Sequence, residues 1–206
     1  MNAPRQMTEV PAGKIAAIVT SLEMFSAPAP RPERSDLALS LRRVEKPDLD
    51  WFRDLFRRTG EDWLWFSRLA MTDETLRAII HDPAVEVYPL MAGKHEAGLL
   101  ELDFRVAGEC ELSYFGLAPT FIGSGAGRWL MNRAIALAWS RPVRRFWVHT
   151  CTYDHPDALS FYLRSGFRAF RREIEISDDP RLTGAMPRNA TPQWAKVIKD
   201  AGVKAE

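Results

Sequence analysis

Three alternate glycines, Gly123, Gly125 and Gly127, lie between a predicted strand and a predicted helix. Glycines leave backbone N–H groups uncovered, and the start of a helix attracts negative charge, so such a loop suits a phosphate. No Lys-Ser/Thr pair follows the glycines, which excludes a nucleoside-triphosphate P-loop. Arg128 and Leu130 stand where a Rossmann loop needs its third glycine. The loop therefore predicts another phosphate-bearing ligand, although a tight turn between strand and helix would use the same glycines.

The charge pattern around this loop favours an anionic ligand. The chain is nearly neutral, with 28 Lys and Arg residues against 27 Asp and Glu residues. Between Leu112 and Tyr153 there is no acidic residue, whereas ordinary surfaces intersperse both signs. The arginines in this interval are Arg128, Arg133, Arg141, Arg144 and Arg145. We therefore expect positive charge to concentrate around the glycine-rich loop.

A second segment with a chemical signature runs from Asp154 to Phe167. Pro156 suits the first turn of a helix, and Gly166 suits the position just after its end. Ala158 and Tyr162 are four residues apart, so they share one helix face near its start. A small residue beside a tyrosine leaves room for a ligand. The alternative for Tyr162 is a core tyrosine whose hydroxyl is satisfied internally.

These two motifs, in this order, resemble those of the GNAT superfamily of N-acetyltransferases, over about Leu39 to Ile176. The family's acyl-CoA loop reads Arg/Gln-x-x-Gly-x-Gly/Ala and aligns with residues 122–127, where Ile122 replaces Arg or Gln. Its later helix reads Asn-x-x-Ala-x-x-hydrophobic-Tyr-x-x-x-Gly-Phe and aligns with residues 155–167, where His155 replaces Asn. The resemblance implies acetyl transfer from acetyl-CoA to a primary amine, by direct attack in a ternary complex.

The resemblance also assigns roles to single residues. Backbone groups at the end of a strand would pair with the pantetheine arm: Phe115, Gly116 and Leu117. The loop would hold the pyrophosphate: Ile122, Gly123, Ser124, Gly125, Ala126, Gly127 and Arg128. His155 and Ala158 would border the cofactor from the later helix. Tyr162 would lie near the thioester sulfur and protonate the leaving CoA thiolate.

A candidate general base follows from strand register. A three-residue hairpin loop over 106–108, with Gly108 in the left-handed conformation, places polar residues opposite polar ones. The predicted pairs are Leu102 with Leu112, Phe104 with Cys110, Arg105 with Glu109, and Asp103 with Glu111. Facing carboxylates raise the pKa of one of them toward the working range of a base. In the resembled family a Glu on this strand often serves as base, frequently through water, and Glu111 matches it. The alternative is a solvated hairpin face with Arg105 as counter-charge.

An acceptor site is predicted where aromatic residues crowd the link between the first two helices. Trp63, Trp65 and Phe66 could hold an ammonium by cation–π attraction, and Arg68 could hold a carboxylate. Asp103 is also predicted to belong to this acceptor site. The alternative is an aromatic core beneath a loop.

Cysteine and histidine residues near the second motif raise two further alternatives. His149, Cys151 and His155, with Asp154, offer donors for zinc, but their spacing matches no familiar zinc pattern, so no metal is expected. Cys151 is a conceivable nucleophile, but nothing in the sequence marks it as activated.

The scaffold for these residues can be predicted from hydrophobic periodicity and capping residues. Strands are predicted at 14–24, 37–41, 85–91, 97–105, 109–117, 145–150 and 167–176. Helices are predicted from Pro47, after Thr72 as N-cap, at 127–139 and at 156–165. This order implies a GNAT-like α/β sandwich with a mixed, mostly antiparallel central sheet and about four helices.

Three parts are predicted along the chain. Residues 1–36 form an N-terminal extension, with a strand over 14–24 and a proline-rich linker. The strand could join its own sheet or be exchanged within a homodimer. Residues 37–178 form the acyltransferase domain. Residues 179–206 form an irregular tail, with Pro187, Pro192 and Trp194, laid over the domain or over a partner subunit.

Composition limits the remaining function classes. Two cysteines cannot form a disulfide framework, and no apolar run approaches the roughly 18 residues of a membrane span. We therefore expect a cytoplasmic protein that binds neither membrane nor nucleic acid. Its expected partners are acyl-CoA and a small-molecule or peptide amine. A catalytically silent acyl-CoA-binding sensor or scaffold module is the alternative, because Ile122 and His155 depart from the family pattern.

Overall fold

Seven strands and five α-helices make up the computed structural model, which describes residues 7–192. The strands are β1 (Lys14–Met24), β2 (Leu39–Leu41), β3 (Val85–Ala92), β4 (His95–Asp103), β5 (Glu109–Leu117), β6 (Arg145–Cys151) and β7 (Arg168–Asp178). The helices are α1 (Leu49–Gly60), α2 (Asp73–Ile80), α3 (Ala126–Trp139), α4 (Ala158–Arg164) and α5 (Pro180–Thr183). Short 3₁₀ turns at Glu61–Trp63 and Pro119–Phe121 precede α2 and α3.

All seven strands belong to one sheet, in the order β2-β3-β4-β5-β6-β1-β7. Neighbouring strands are antiparallel except β5 and β6, which are parallel. The predicted mixed, mostly antiparallel sheet is therefore confirmed.

Helices cover both faces of the sheet. Side chains alternate along each strand, so neighbouring apolar residues of one strand pack against helices on opposite faces. Leu99 packs with Phe52 and Phe56 of α1 in one buried cluster. Its neighbour Leu100 packs with Leu130 of α3 in a second cluster, on the opposite face. The fold is therefore the predicted α/β sandwich, and the two cores hold the central strands in place from either side.

Capping residues set the starts of the first two helices: Thr72 is the N-cap of α2 as predicted, whereas α1 begins at Leu49, two residues after the predicted start at Pro47. The Asp48 carboxylate accepts hydrogen bonds from the N–H groups of Asp50 and Trp51, and the Thr72 hydroxyl accepts one from Thr75 N. The predicted start of the later helix is wrong by two residues. The chain makes a turn there, closed by Ala158 N donating to His155 O at 2.8 Å, so α4 begins only at Ala158. No helix among residues 7–192 is long and apolar enough to span a bilayer.

The predicted N-terminal strand is present, with the same bounds. β1 inserts between β6 and β7 of the chain's own sheet and pairs with both. At the other end, Met186 and Ala190 pack against Leu64, so the described part of the tail lies over the domain. The predicted contact of Trp194 lies outside the described residues.

Candidate active site

A cavity opens where β5 and β6 separate. The two strands pair only from Glu109 to Glu111 and then diverge. The gap between them is a cavity of about 530 Å³, within the usual range of small-molecule sites. Residues from both strands line it: Leu112, Ser113, Tyr114, Phe115, Gly116, Leu117, Val148, His149 and Cys151. On the side of β6, the backbone of β5 after Glu111 therefore faces this cavity and not a paired strand.

A β-bulge in β5 marks the start of this separation. Glu101 pairs with Tyr114, whereas the next residue, Leu102, pairs with Leu112, so Ser113 is the extra residue. A bulge bends its strand and increases the local twist. The bend directs the second half of β5 away from β6.

The glycine-rich loop borders the cavity in the conformation that glycine permits. Gly123 and Gly125 have φ angles of +78° and +97°. Gly123, Gly125 and Gly127 line the cavity, and within residues 7–192 no acceptor bonds their backbone N–H groups. Ser124 Oγ instead accepts from Ala126 N at 3.2 Å, which braces the turn. The loop therefore presents free N–H donors at the start of α3.

The predicted arginine concentration around the loop is wrong for most of its members. Arg133 pairs with Glu33 at 2.7 Å, Arg141 pairs with Glu86, and Arg145 pairs with Glu23 at 2.9 Å. Arg144 lies beside Gly108 at the β4–β5 hairpin. Only Arg128 of that interval lines the cavity. Carboxylates distant in sequence neutralise Arg133, Arg141 and Arg145, which a count of charges along the chain cannot detect.

Two arginines that the sequence analysis missed lie with Arg128 instead. Arg31, from the proline-rich linker, and Arg164, from the end of α4, both line the cavity. Burial, together with the charges of Arg128 and Arg164, lowers the pKa of Arg31. Arg164 lies within the second motif, at the end of α4, so its place near a ligand could have been inferred. Nothing in the linker sequence singles out Arg31.

Tyr162 lies in the wall of the cavity and is buried. Its ring packs edge-on against Phe115 and Phe167, with ring centres 6.3 and 5.9 Å away. No described residue hydrogen-bonds its hydroxyl, and burial raises its pKa, so the phenol stays protonated at neutral pH. Ala158 lines the cavity one helical turn earlier. A small residue and a protonated phenol therefore lie side by side.

His155 also lines the cavity and is fixed by two contacts. Its Nδ1 accepts a hydrogen bond from Asp157 N at 3.1 Å, and its ring packs edge-on against Trp63, with ring centres 5.1 Å apart. This places His155 at the entry to α4, beside the site where the motif predicts cofactor contact.

The predicted register next to Glu111 is confirmed. Asp103 pairs with Glu111 across β4 and β5, and Gly108 has a φ of +79°. Burial and the facing Asp103 raise the pKa of Glu111 to about 7. Glu111 does not itself line the cavity, but His149 does, and its Nδ1 lies 3.8 Å from Glu111 Oε1. His149 therefore lies between the cavity and Glu111.

Two other pairs predicted for this hairpin do not form. The ladder ends at Asp103, because Phe104 N donates to Ala84 O at 2.8 Å. Arg105 folds back onto Asp103, with Nη2 2.5 Å from Oδ2. Glu109 pairs with Arg145 rather than with Arg105. The positive charge of Arg105 therefore pairs with Asp103, the residue that faces Glu111.

Aromatic side chains cover the cavity on the side of α1. Trp63, Trp65 and Phe66 all line it. Trp65 Nε1 donates to Asp154 Oδ1 at 3.1 Å, and the other oxygen of Asp154 accepts from Thr150 Oγ1 and Cys151 N. Asp154, which the sequence analysis weighed only as a zinc donor, thus holds Trp65 against the end of β6.

The structure does not bring Arg68 and Asp103 into the cavity lining. Arg68 is buried, and its Nη2 lies 2.5 Å from Glu101 Oε1. Within the described residues, Arg68 Nε and Glu101 Oε2 have no hydrogen-bond partner. Arg68 also lies over the ring of Tyr114, 5.1 Å from its centre. A role of Arg68 and Asp103 in binding the acceptor stays a prediction.

The thiol of Cys151 is not activated. Burial, reinforced by Asp154, raises its pKa to about 12, so the thiol stays protonated. Among residues 7–192, no group of three or more His, Cys, Asp or Glu side chains is arranged to hold a metal ion.

The sequence matches the model of the acetyltransferase (GNAT) family over residues 49–167. That span runs from the start of α1 to the residue before β7 and includes both motifs. No curated protein matches the chain significantly in sequence.

Solved structures share the fold at low sequence identity. A functionally unknown conserved protein from Staphylococcus epidermidis ATCC 12228 has a TM-score of 0.57 and 13% identity, over 81% of this chain and 64% of that one. A GNAT-family protein from Novosphingobium aromaticivorans DSM 12444 has a TM-score of 0.55 and 18% identity, over 84% and 70%. An aminoglycoside acetyltransferase from an uncultured soil metagenomic sample has a TM-score of 0.52 and 17% identity, over 64% and 90%. The chain thus spans slightly less than two thirds of the staphylococcal protein.

Proposed function

Because the chain belongs to the GNAT family of acetyltransferases, we propose that it transfers an acetyl group from acetyl-CoA to a primary amine. The observation that carries this proposal is the cavity between β5 and β6. It brings together the edge of β5 that faces β6 without pairing, a loop of free N–H donors and a protonated tyrosine. The strand edge would bind the pantetheine arm, the loop would bind the pyrophosphate, and the tyrosine would protonate the thiolate.

The donor would be held at two places. Backbone N–H groups of Gly123, Gly125 and Gly127 would bind the pyrophosphate, where the start of α3 adds its favourable dipole. The amides of the pantetheine arm would bond the open edge of β5, from Phe115 to Leu117, as an added strand does. Ile122 and Arg128 flank the loop and line the same cavity.

The chemistry would proceed by direct attack. Glu111 accepts a proton from the acceptor ammonium, through His149 or water, and the free amine attacks the thioester carbonyl. The carbon–sulfur bond breaks as the tetrahedral intermediate collapses, and Tyr162 donates its phenolic proton to the leaving CoA thiolate. The amine nitrogen loses its second proton through water to the Tyr162 phenolate, which restores the phenol. Holding both reactants in one cavity supplies effective concentration, and no covalent enzyme intermediate is needed.

The acceptor would enter beside Trp63, Trp65 and Phe66. Their rings offer cation–π contact to an ammonium before it loses its proton. One structural neighbour is named an aminoglycoside acetyltransferase, which supports testing aminoglycosides among the first acceptors. Arg68 and Asp103 lie outside the lining, so they would act on the acceptor through Tyr114 and Glu111.

A titration followed by an activity screen tests the proposal. Calorimetry of the full chain with acetyl-CoA should show binding that weakens as salt rises, because phosphates are bound. Release of free CoA thiol should then follow the addition of a suitable primary amine. Failure to bind acetyl-CoA at low or moderate salt would remove the enzyme and the acyl-CoA sensor together. Binding without turnover on a broad amine panel would favour the sensor.

A further inference from the structure

The linker between β1 and β2 is fastened to α3, although its prolines alone predict only an extended spacer. The Asn132 side chain clamps the backbone of Arg31: Arg31 N donates to Asn132 Oδ1 at 3.1 Å, and Asn132 Nδ2 donates to Arg31 O at 2.8 Å. Asn132 is buried. Arg128 Nη1 donates to Pro32 O at 3.0 Å, and Asn132 Nδ2 also donates to Glu33 Oε1 at 2.6 Å. The position of Arg31 is therefore set by α3.

The guanidinium of Arg31 extends from this clamp into the cavity. Its Nη1 donates to Ser165 Oγ at 3.3 Å, next to Arg164. Arg31, Arg128 and Arg164 all line the cavity, and within residues 7–192 their guanidinium groups donate to neutral oxygens: Ser165 Oγ, Pro32 O and Ser160 Oγ. Like charges gathered without a paired carboxylate raise the free energy of the site, and an anion bound among them lowers it. Arg31 is thus placed as an anion-binding side chain.

We propose that Arg31, positioned by Asn132, binds a phosphate group of the acyl-CoA, which makes the N-terminal linker part of the cofactor site. The inference rests on the proposed function, because acyl-CoA is the phosphate-bearing ligand that the cavity is proposed to hold. A CoA molecule carries a pyrophosphate and a 3′-phosphate, and both offer oxygens to guanidinium N–H groups. The loop amides serve one of these groups, whereas three arginines suit a ligand that carries more than one.

Calorimetric titration with CoA tests the role of Arg31 in the full chain. Arg31→Gln should bind CoA about 10- to 100-fold more weakly, because a charge-assisted contact is lost. The slope of log affinity against log salt should also become shallower. Arg77→Gln, which removes an exposed arginine of α2, is the matched control and should bind as the wild type does. Because Asn132 holds only the backbone of Arg31, the substitution leaves the clamp intact, and equal melting temperatures verify the fold.

The same titration with 3′-dephospho-CoA identifies the phosphate. If Arg31 contacts the 3′-phosphate, the loss caused by Arg31→Gln should vanish with this probe. If Arg31 contacts the pyrophosphate, the loss should persist with both probes. Either pattern supports the proposal. Unchanged CoA affinity of Arg31→Gln, beside a wild type that binds CoA, would overturn the proposal and leave the acetyltransferase function standing. A wild type that binds no CoA would overturn both.

A second variant tests the clamp. Asn132→Ala keeps all three arginines but releases the backbone of Arg31, so it should also weaken CoA binding. In that background Arg31→Gln should cause a much smaller further loss, since the two residues act through one contact. Equal losses in both backgrounds would contradict the positioning role of Asn132.

Discussion

Glu111 lies opposite Asp103 across the β4–β5 ladder, one residue before β5 separates from β6. Burial and this facing carboxylate raise the pKa of Glu111 to about 7. The carboxylate is thereby poised to gain and lose a proton near neutral pH. His149, at 3.8 Å, links it to the cavity. Several measurable properties follow from this arrangement and from its surroundings.

The rate of acetyl transfer at saturating donor should rise with pH through about 7, because the base must be deprotonated. This rise from acid to neutral pH is the acid limb of the pH–rate profile. Glu111→Gln should lower kcat by about 100-fold and remove the acid limb. Asp103→Asn should keep most activity but move the limb to lower pH, since it removes a charge that raises the pKa of Glu111. Stopped-assay thiol release from pH 5.5 to 9 measures all three. An acid limb unchanged in Glu111→Gln would assign the base to another group.

The same pKa predicts a pH-dependent gain in stability for Glu111→Gln. The pKa of the carboxyl rises from 4.5 to about 7 on folding, so the native state binds the extra proton between these values. Wild-type stability therefore falls as pH rises through this window, whereas the glutamine variant lacks that loss. The variant should be more stable by roughly 1 to 3 kcal/mol at pH 8 and nearly equal to the wild type at pH 4.5. Urea unfolding at the two pH values measures the difference, and a gain that does not change with pH would contradict the shift.

Tyr162→Phe should slow turnover by about 100-fold while leaving the affinity for acetyl-CoA nearly unchanged, because only the phenolic proton is removed. Tyr153→Phe is the matched control. Tyr153 lines the same cavity, but its hydroxyl donates to Ala16 O at 2.6 Å and is not available to the thiolate. Thiol release and calorimetry on both variants test the prediction. Equal turnover in Tyr162→Phe and wild type would refute the general-acid role.

Gly116→Ala should destabilise the protein and weaken donor binding. A Cβ at Gly116 would lie 2.8 Å from Trp65 Cη2, so the indole must move away from β5. Overpacking of this kind costs about 1 to 3 kcal/mol. Trp65→Phe removes the clashing atoms, so the cost of Gly116→Ala should shrink in that background. Thermal unfolding of the two single variants and the double variant forms a double-mutant cycle. Strictly additive losses of stability in that cycle would exclude the predicted contact.

Features set by local patterns could be predicted from the sequence. The pairing of Asp103 with Glu111 follows from alternation and from a hairpin loop ending in Gly108. The left-handed Gly123 and Gly125 follow from their place between a strand and a helix. In each case the residues that decide the conformation are near neighbours in the chain, so their pattern carries the information.

Features set by packing between distant segments could not be predicted in this way. Arg133 appears free in the sequence, yet Glu33 neutralises it from 100 positions away. Arg31 enters the cavity because Asn132 hydrogen-bonds the backbone of the linker at Arg31. Arg68 pairs with Glu101 in the core, a partner 33 positions away that no local pattern indicates. Partner choice among charged residues depends on the tertiary fold, which short-range pattern does not encode.

The place of β1 between β6 and β7 also bears on how the chain folds during synthesis. β1 leaves the ribosome long before these partners, which begin at Arg145 and Arg168. Until they emerge, residues 14–24 have no strand to join, and closing so long a loop slows folding. We expect the helices and the β3–β5 meander to form early and β1 to dock last. An unpaired strand rich in Ile and Val is a candidate for capture by a chaperone in that interval.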